Sequence, residues 1–511
     1  MYTIRKMTDD FCSKFKNNTA FIVKNNKEQV KITYEHLLSD VKKLANGIVA
    51  KNLTDTRIVV SGKNSYLWFV SALAVFYSGN VLVPIDGGLS EEEFTRVIDR
   101  SGASLIIYSK EITEKASKQN TAIKVCMDDI ESLMSTDEKD MPERNPDDLG
   151  VLMFTSGTTS DSKAVMLSQN NIISNVVALN KWEHFTGEDV NLALLPFFHA
   201  FGLTATLLFL NVGMCSVFCE GLRVKKALTD YDITIFVGVP LILDKMKGTV
   251  ETVLRKKKIL GVFNAMRSFS RFCLKFGLDL RGPLFKVVRS NLSKLRLIIS
   301  GAAALSPETS DFFNDIGILL IQGYGLTETA PVLSAENEDN IRLGSVGKAL
   351  PGIEVKIDSP DADGYGEIIA KGPNVMLGYM GEDVSPIKDG YFHTGDIGYI
   401  DKDGFIFING RKKNVIVLPN GKNVFPEETE LLYSGIDGVK ESVVYLNEEG
   451  SRPFISAKIV YDPDITNPEI LAEETKKINA QLPHFKEVKK IEYTTEEFKK
   501  TSTGKIKRNT L

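Results

Sequence analysis

Short apolar runs rich in β-branched residues alternate with helical patterns through the first third of the chain. Residues 57–60, 81–84 and 104–108 read as strands, and residues 65–77 and 90–101 as helices. That alternation predicts a parallel sheet flanked by helices. The rhythm recurs from 189 to 322 and ends on strands at 295–299 and 318–321, which predicts a second, related sheet layer. Between 345 and 409 the pattern changes to short strands separated by glycine and aspartate turns, as in a small distorted β-barrel. Beyond Lys413 come a strand at 414–418, a turn at Pro419-Asn420-Gly421, a helix from Pro426, strands at 441–446 and 454–461, and a helix at 468–481. Pro426 and Pro468 suit first-turn positions, where the missing N–H has no helical partner to lose. The fold class expected is α/β: two doubly wound sheet layers plus a small distorted β-barrel, followed by a small mobile α+β unit. The expected boundaries are a large N-terminal domain over 1–409, a hinge over 410–413 and a C-terminal lid domain over 414–511.

Residues 191–219 contain no Lys, Arg, Asp or Glu, long enough for a membrane span by length alone. Pro196, His199, Asn211 and Gly213 interrupt the run. They divide it into a strand at 192–195, a helix at about 203–210 and a second strand at 215–218, which reads as the buried core of a doubly wound fold.

Composition adds exclusions. With 511 residues, 43% hydrophobic and 25% charged, the chain is globular and too long for one core. A net charge of −4 gives no general attraction to nucleic acid. The five cysteines Cys12, Cys126, Cys215, Cys219 and Cys273 show no C-x-x-C spacing, which argues against a disulfide framework and a thiolate zinc site. The first ten residues turn acidic before any apolar stretch, so no signal peptide is expected there. A cytoplasmic setting is expected.

One stretch concentrates chemistry: Phe154-Thr155-Ser156-Gly157-Thr158-Thr159-Ser160-Asp161-Ser162-Lys163-Ala164. Gly157 lets backbone N–H groups turn toward phosphate oxygens, the hydroxyls add neutral donors, and Lys163 adds a mobile positive charge. Such a loop suits a triphosphate. It is not the common phosphate loop of nucleotide hydrolases, because Ser162 and Ala164 stand where that pattern needs glycine and Ser/Thr.

Four further signatures follow in order: Gln322-Gly323-Tyr324-Gly325-Leu326-Thr327-Glu328-Thr329, Tyr391-Phe392-His393-Thr394-Gly395-Asp396, Gly410-Arg411-Lys412-Lys413 and Ser502-Thr503-Gly504-Lys505-Ile506. Together with the loop they resemble the adenylate-forming superfamily of acyl-CoA synthetases, amino-acid-adenylating domains and beetle luciferases. The loop departs from the usual family pattern at Ser160, Ser162 and Ala164.

The resemblance implies ATP, Mg²⁺ and CoA as cofactors and co-substrates. It implies that Thr155, Ser156, Thr158, Thr159 and Lys163 hold the β- and γ-phosphates, and that Gln322, Gly323 and Tyr324 belong to the nucleotide site, with the tyrosine ring on adenine. The Thr327 hydroxyl would meet the α-phosphate and the Glu328 carboxylate the metal, a hard oxygen ligand for a hard ion. Asp396 would accept from the ribose hydroxyls, with Arg411 reaching the same sugar. Lys505 would neutralise charge during adenylation. The lid would turn about Lys413 and present a second face carrying Gly421 and Lys422 to CoA.

Phe198-His199-Ala200-Phe201-Gly202 resembles the family's aromatic-histidine motif beside the acyl pocket, where His199 would gate or orient the carboxylate. Phe236-Val237-Gly238-Val239-Pro240 and Gly301-Ala302-Ala303-Ala304 would form apolar and small-residue walls, and Gly301 and Ala302 are counted with the cofactor-binding positions. No acid stands at 236–240, where amino-acid-adenylating relatives place an aspartate. A medium- or long-chain fatty acid is therefore expected. Residues 245–296 hold 14 Lys and Arg against Glu251 and Asp279, interleaved with phenylalanines. This reads either as a surface for the inner face of an anionic membrane, as in long-chain fatty acyl-CoA synthetases, or as a solvated basic helical pair. Two alternatives stand beside a CoA ligase: a ligase for a separate acyl carrier protein, and a non-catalytic acyl-adenylate binder.

Overall fold

The computed structural model describes the chain except residues 1, 26–27, 122, 156–161, 219–223, 291, 293, 419–421, 448–452, 501–505 and 509–511. Strands alternating with helices assemble into a nine-stranded and a seven-stranded sheet. The centre of the first is parallel, running from Leu319–Gly325 through Leu297–Ser300, Ile235–Gly238, Val190–Ala193 and Cys215–Phe218 to Thr19–Asn25. In the second, Leu149–Thr155, Val81–Ile85, Arg57–Ser61, Leu105–Tyr108 and Ile123–Cys126 run parallel, and Lys163–Ser168 and Gly378–Tyr379 close one edge antiparallel.

One apolar core joins the inner faces of both sheets. Helices Tyr66–Tyr77 and Ala200–Asn211 carry no charged residue and are buried over most of their surface within it. Ser65 starts the first by accepting from the Trp68 N–H. Trp68 and Phe69 pack on Phe197 with ring centroids 5.4 and 5.2 Å away. The charge-free run is thus strand Val190–Ala193, helix Ala200–Asn211 and strand Cys215–Phe218. Its 12-residue helix spans only about 18 Å, and no described helix is long and apolar enough to cross a membrane.

The barrel-like region is a five-stranded antiparallel sheet containing Glu354–Asp358, Gly366–Lys371, Tyr391–Ile400 and Ile406–Arg411. Beyond it, the strand expected at 414–418 is only the pair Ile416–Val417, because Lys412–Asn414 form a 3-10 turn first. Helices Pro426–Ser434 and Pro468–Asn479 and a three-stranded sheet enclose a separate core around Tyr433, Val444, Ile459 and Leu471.

Candidate active site

The chemistry-bearing loop joins two antiparallel strands, Leu149–Thr155 and Lys163–Ser168, with Thr155 paired to Lys163 across its mouth. Ser156, Gly157, Thr158 and Thr159 lie outside the described residues, as do Gly421 and Lys505. Ala164, one of the departures from the family pattern, is a buried strand residue opposite Phe154, so its methyl packs in the sheet. At Ser162, the carbonyl accepts from Arg100 at 2.6 Å.

Strand Gly378–Tyr379 pairs with the lysine strand, setting Tyr379 opposite Val165. Side chains two apart share a face, so Tyr379 and Lys163 meet: the Lys163 ammonium lies 4.2 Å from the Tyr379 ring centroid and 3.1 Å from Glu382 Oε2. The Tyr379 hydroxyl donates to Glu328 Oε1 at 2.7 Å, and the Met376 N–H donates to the Glu328 carbonyl at 2.9 Å. Burial and then the Glu328 charge push the Tyr379 phenol up. It stays a donor at neutral pH.

Strand Leu319–Gly325 leads into Glu328. Its backbone stays extended through two glycines because Gly323, Tyr324 and Gly325 pair with Val332–Ala335. A Cβ on Gly325 would lie 1.8 Å from the Pro331 carbonyl oxygen, so the approach requires glycine there. The Gln322 amide N–H donates to Glu336 Oε2 at 3.0 Å and its side chain reaches the Ser345 carbonyl at 3.4 Å. Thr327 opens the 3-10 turn Thr327–Thr329 that carries Glu328.

At the other end of the same segment the Tyr324 hydroxyl donates to Asp396 Oδ2 at 2.7 Å. Cross-strand pairing of Asp396 with Arg411 brings the guanidinium Nε 2.8 Å from Asp396 Oδ1. Asp396 is 4% exposed, and burial followed by its charge pushes the Tyr324 phenol well above the usual range. Nearby, Asp358, Glu367 and His393 place ligand atoms within 4.8 Å of one another, but the Lys412 ammonium already sits 2.8 Å from Glu367 Oε2 and supplies a cation there.

His199 precedes the buried helix Ala200–Asn211 at its N-cap, with its ring 4.4 Å from Phe198. Gly301 is buried, Ala302 to Ala304 are exposed, and Ala302 has φ +70°, a conformation uncommon outside glycine. On either side of residues 410–413, Asn409 donates to Glu428 at 2.6 Å and Asn414 to Glu427 at 2.6 Å, while burial and then Arg411 and Arg508 lower the Lys413 pKa. The Lys422 ammonium lies 4.3 Å from the Phe485 ring centroid.

The structure therefore joins Lys163, Glu328, Tyr324, Asp396 and Arg411 through one segment. Tyr379 and Glu382 complete the set. Nothing in the sequence reading singled them out, because their partners lie 51 and 219 positions away. Glu328 fits a hard cation: it presents a half-buried carboxylate whose Oε2 carries no hydrogen bond among the described residues.

This fold and site define a class: residues 8–380 match the AMP-binding enzyme family, and the chain belongs to that family. Its relatives divide by acid. The chain is 27% identical over 497 residues to the long-chain-fatty-acid–CoA ligase ACSBG2 of Gallus gallus, covering 86% of this chain and 64% of that one, so it spans about two thirds of that relative's length. It is 26% identical over 496 residues to feruloyl-CoA synthase of Amycolatopsis sp, covering 93% and 92%. ATP-bound MatB from Rhodopseudomonas palustris superposes with a TM-score of 0.80 at 25% identity, over 100% of this chain and 98% of that chain.

Proposed function

We propose that the protein activates a carboxylic acid with ATP and passes the acyl group to the thiol of CoA, and that the acid is a medium- or long-chain fatty acid. One observation carries the activation: a single short segment, from Tyr324 to Glu328, touches both the Asp396–Arg411 pair and the Tyr379–Lys163 pair. That spacing suits a nucleotide held at its sugar by one pair and at its phosphates by the other.

A carboxylate is a poor acyl donor because oxide would have to leave. In the proposed first step a carboxylate oxygen bonds to the α-phosphorus and the bond to pyrophosphate breaks. In the second the CoA thiol loses its proton and its sulfur bonds to the acyl carbon, while AMP leaves with the former bond pair. Asp396 and Arg411 take the ribose, the Tyr324 ring meets adenine, and Gln322 and Gly323 complete that wall. Lys163 leaves Glu382 for the β- and γ-phosphates beside Thr155, Ser156, Gly157, Thr158 and Thr159. The Thr327 hydroxyl and the Lys505 ammonium meet the reacting oxygens. Bound Mg²⁺, held by Glu328, would neutralise phosphate charge. His199 orients the carboxylate, and Gly301 and Ala302 border the acyl group.

The large body over 1–409, the hinge over 410–413 and the lid over 414–511 divide the two steps. A Cβ on Gly410 would lie 2.5 Å from Glu427 Oε2, so body and lid approach closely here. Among the described residues Asn409 Oδ1 and Glu427 Oε2 are buried at this junction without hydrogen-bond partners, and rotation about Lys413 would let them take new ones. The turned lid then offers Gly421 and Lys422 to CoA. The free thiols Cys12, Cys126, Cys215 and Cys273 suit a reducing, cytoplasmic setting.

The uncharged walls at 236–240 and 301–304 support a fatty chain, and the named substrates of two relatives bracket the choice between aliphatic and aromatic acids. The test is pyrophosphate release across fatty and aromatic acids, each with CoA, with a separate acyl carrier protein, or with neither. Fatty-acid-dependent release with thioester on CoA is expected. Thioester on the carrier alone would reassign the acceptor, and no release with any acid would make the protein an acyl-adenylate binder.

A further inference from the structure

Along strand Val190–Ala193 successive side chains point to opposite faces of the nine-stranded sheet. Leu192 packs in the core outside the sheet, and Ala193 packs in the core that includes helix Ala200–Asn211. Asn191 therefore points toward the helix, with Ser216 and Ile235 beside it in register. It is 2% exposed. Its amide nitrogen donates to Ser216 Oγ at 3.4 Å, and its Oδ1 is buried without a hydrogen-bond partner among the described residues. Leaving such an oxygen unpaired is costly, and most buried polar groups find a partner.

Asn191 lines a narrow cavity between the strand and the helix. The other end of the cavity is lined by Leu195 and Gly202, close in the chain to His199, the residue proposed to orient the carboxylate. Val237 of the proposed acyl wall borders it, and Gly202 and Ala205 face it with little side chain. From Leu195 to Asn191 the chain spans at most about 14 Å, comparable to an extended decanoyl or dodecanoyl group. The cavity has room for about one water molecule, and an entering chain would widen it by rotating the half-buried Leu194 and Leu195 side chains.

We propose that Asn191 is a specificity-determining residue at the far end of the acyl pocket, and that it selects acids carrying a hydroxyl near the end of the chain. A hydroxyl both donates and accepts, so it satisfies the open oxygen. A plain chain of the same length displaces water from that oxygen and leaves it unpaired, the asymmetry by which a polar site rejects an analogue lacking the polar group. The inference rests on the reading that the site activates an acid lying against Val237. It narrows the substrate from fatty acids in general to ω-hydroxylated ones.

The experiment measures kcat/KM for acid-dependent exchange of labelled pyrophosphate into ATP, without thiol, for octanoic, decanoic and dodecanoic acids and their ω-hydroxy counterparts. The wild type is expected to favour the hydroxy acid at least about tenfold at the length that reaches the amide. Asn191→Leu, similar in size and unable to hydrogen-bond, should lose that preference and favour the plain acid, while keeping the wild-type circular dichroism and ATP Kd. Asn191→Thr, which retains a hydroxyl, should keep part of the preference. Equal constants within every pair in the wild type overturn the inference and leave acid activation standing, as expected of an amide that holds only a buried water. This comparison decides even if the leucine variant does not fold. A preference unchanged in Asn191→Leu overturns the assignment to this residue. Exchange with none of the acids, plain or hydroxylated, overturns the reading of the site as well as this inference.

Discussion

Asp396→Asn isolates the proposed ribose contact. The change keeps the side chain's shape but replaces one acceptor oxygen with an NH₂ group, which cannot accept from a hydroxyl. In the structure Oδ2 accepts from Tyr324 and Oδ1 meets Arg411, so both oxygens are held in place at 2.7 and 2.8 Å, and the side chain is nearly fully buried. A sugar hydroxyl that donated to the carboxylate would lose one charge-assisted hydrogen bond, a loss of about 1.5–3 kcal/mol. That converts to a roughly 10- to 150-fold rise in the ATP Kd. Titration calorimetry with Mg²⁺ and no acid substrate measures it, with a denaturation midpoint as the folding control. Repeating the titration with 2′-deoxy-ATP and 3′-deoxy-ATP closes a double-mutant cycle: the wild type should lose affinity for these analogues, and Asp396→Asn should lose much less. An ATP Kd within about twofold of wild type, or equal analogue losses in both proteins, would refute the assignment.

Glu382→Gln should release Lys163 for phosphate; because the pair is over a third exposed it is worth about 0.2–1 kcal/mol, so the ATP Kd should fall by up to about fivefold, and a rise contradicts the idea. Lys505→Ala is expected to slow adenylation by roughly 10²–10³-fold and leave thiolysis of preformed acyl-adenylate mostly intact; equal losses in stopped-flow assays of the two half-reactions remove its proposed role. Lys413→Pro, which fixes φ at the proposed hinge, should impair thioester formation more than adenylate formation, and a variant unimpaired in both counts against lid rotation. Burial pushes the Glu336 carboxyl from 4.5 up to about 7. The native protein therefore holds a proton that the unfolded chain has released across this window, and stability falls as pH rises through it. Denaturant titrations should show Glu336→Gln gaining about 2–3 kcal/mol relative to wild type between about pH 5 and pH 8, and a pH-independent difference would exclude the linkage.

Local pattern made the layers legible. The alternation at 57–108 became parallel strands because both faces of each strand are apolar, and the breaks at Pro196 and Gly213 correctly divided the charge-free run. The boundaries moved where tertiary pairing decides them. Residues 322–325 read as a glycine-rich motif after a strand, yet the strand runs through them because Val332–Ala335 supplies a partner. The 414–418 strand shrank because Lys412–Asn414 form a tight turn instead. Within the site, motif residues were legible because each motif is contiguous, whereas Tyr379 and Glu382 reach Glu328 and Lys163 only through a short strand added to the sheet edge. On the basic helices within 245–296, the interleaving of phenylalanines with lysines and arginines was legible in sequence. Which side faces outward was not, since that depends on Phe263 rather than Phe269 turning toward Phe285 and Phe312.

Acid-dependent exchange of labelled pyrophosphate into ATP, run without any thiol, tests most directly whether this site makes an acyl-adenylate. Label should enter ATP when a fatty acid is present, should fail to enter without it, and should fall sharply in Asp396→Asn. Release of ADP and phosphate, or no exchange with any carboxylic acid from a folded protein that binds ATP, would contradict the account.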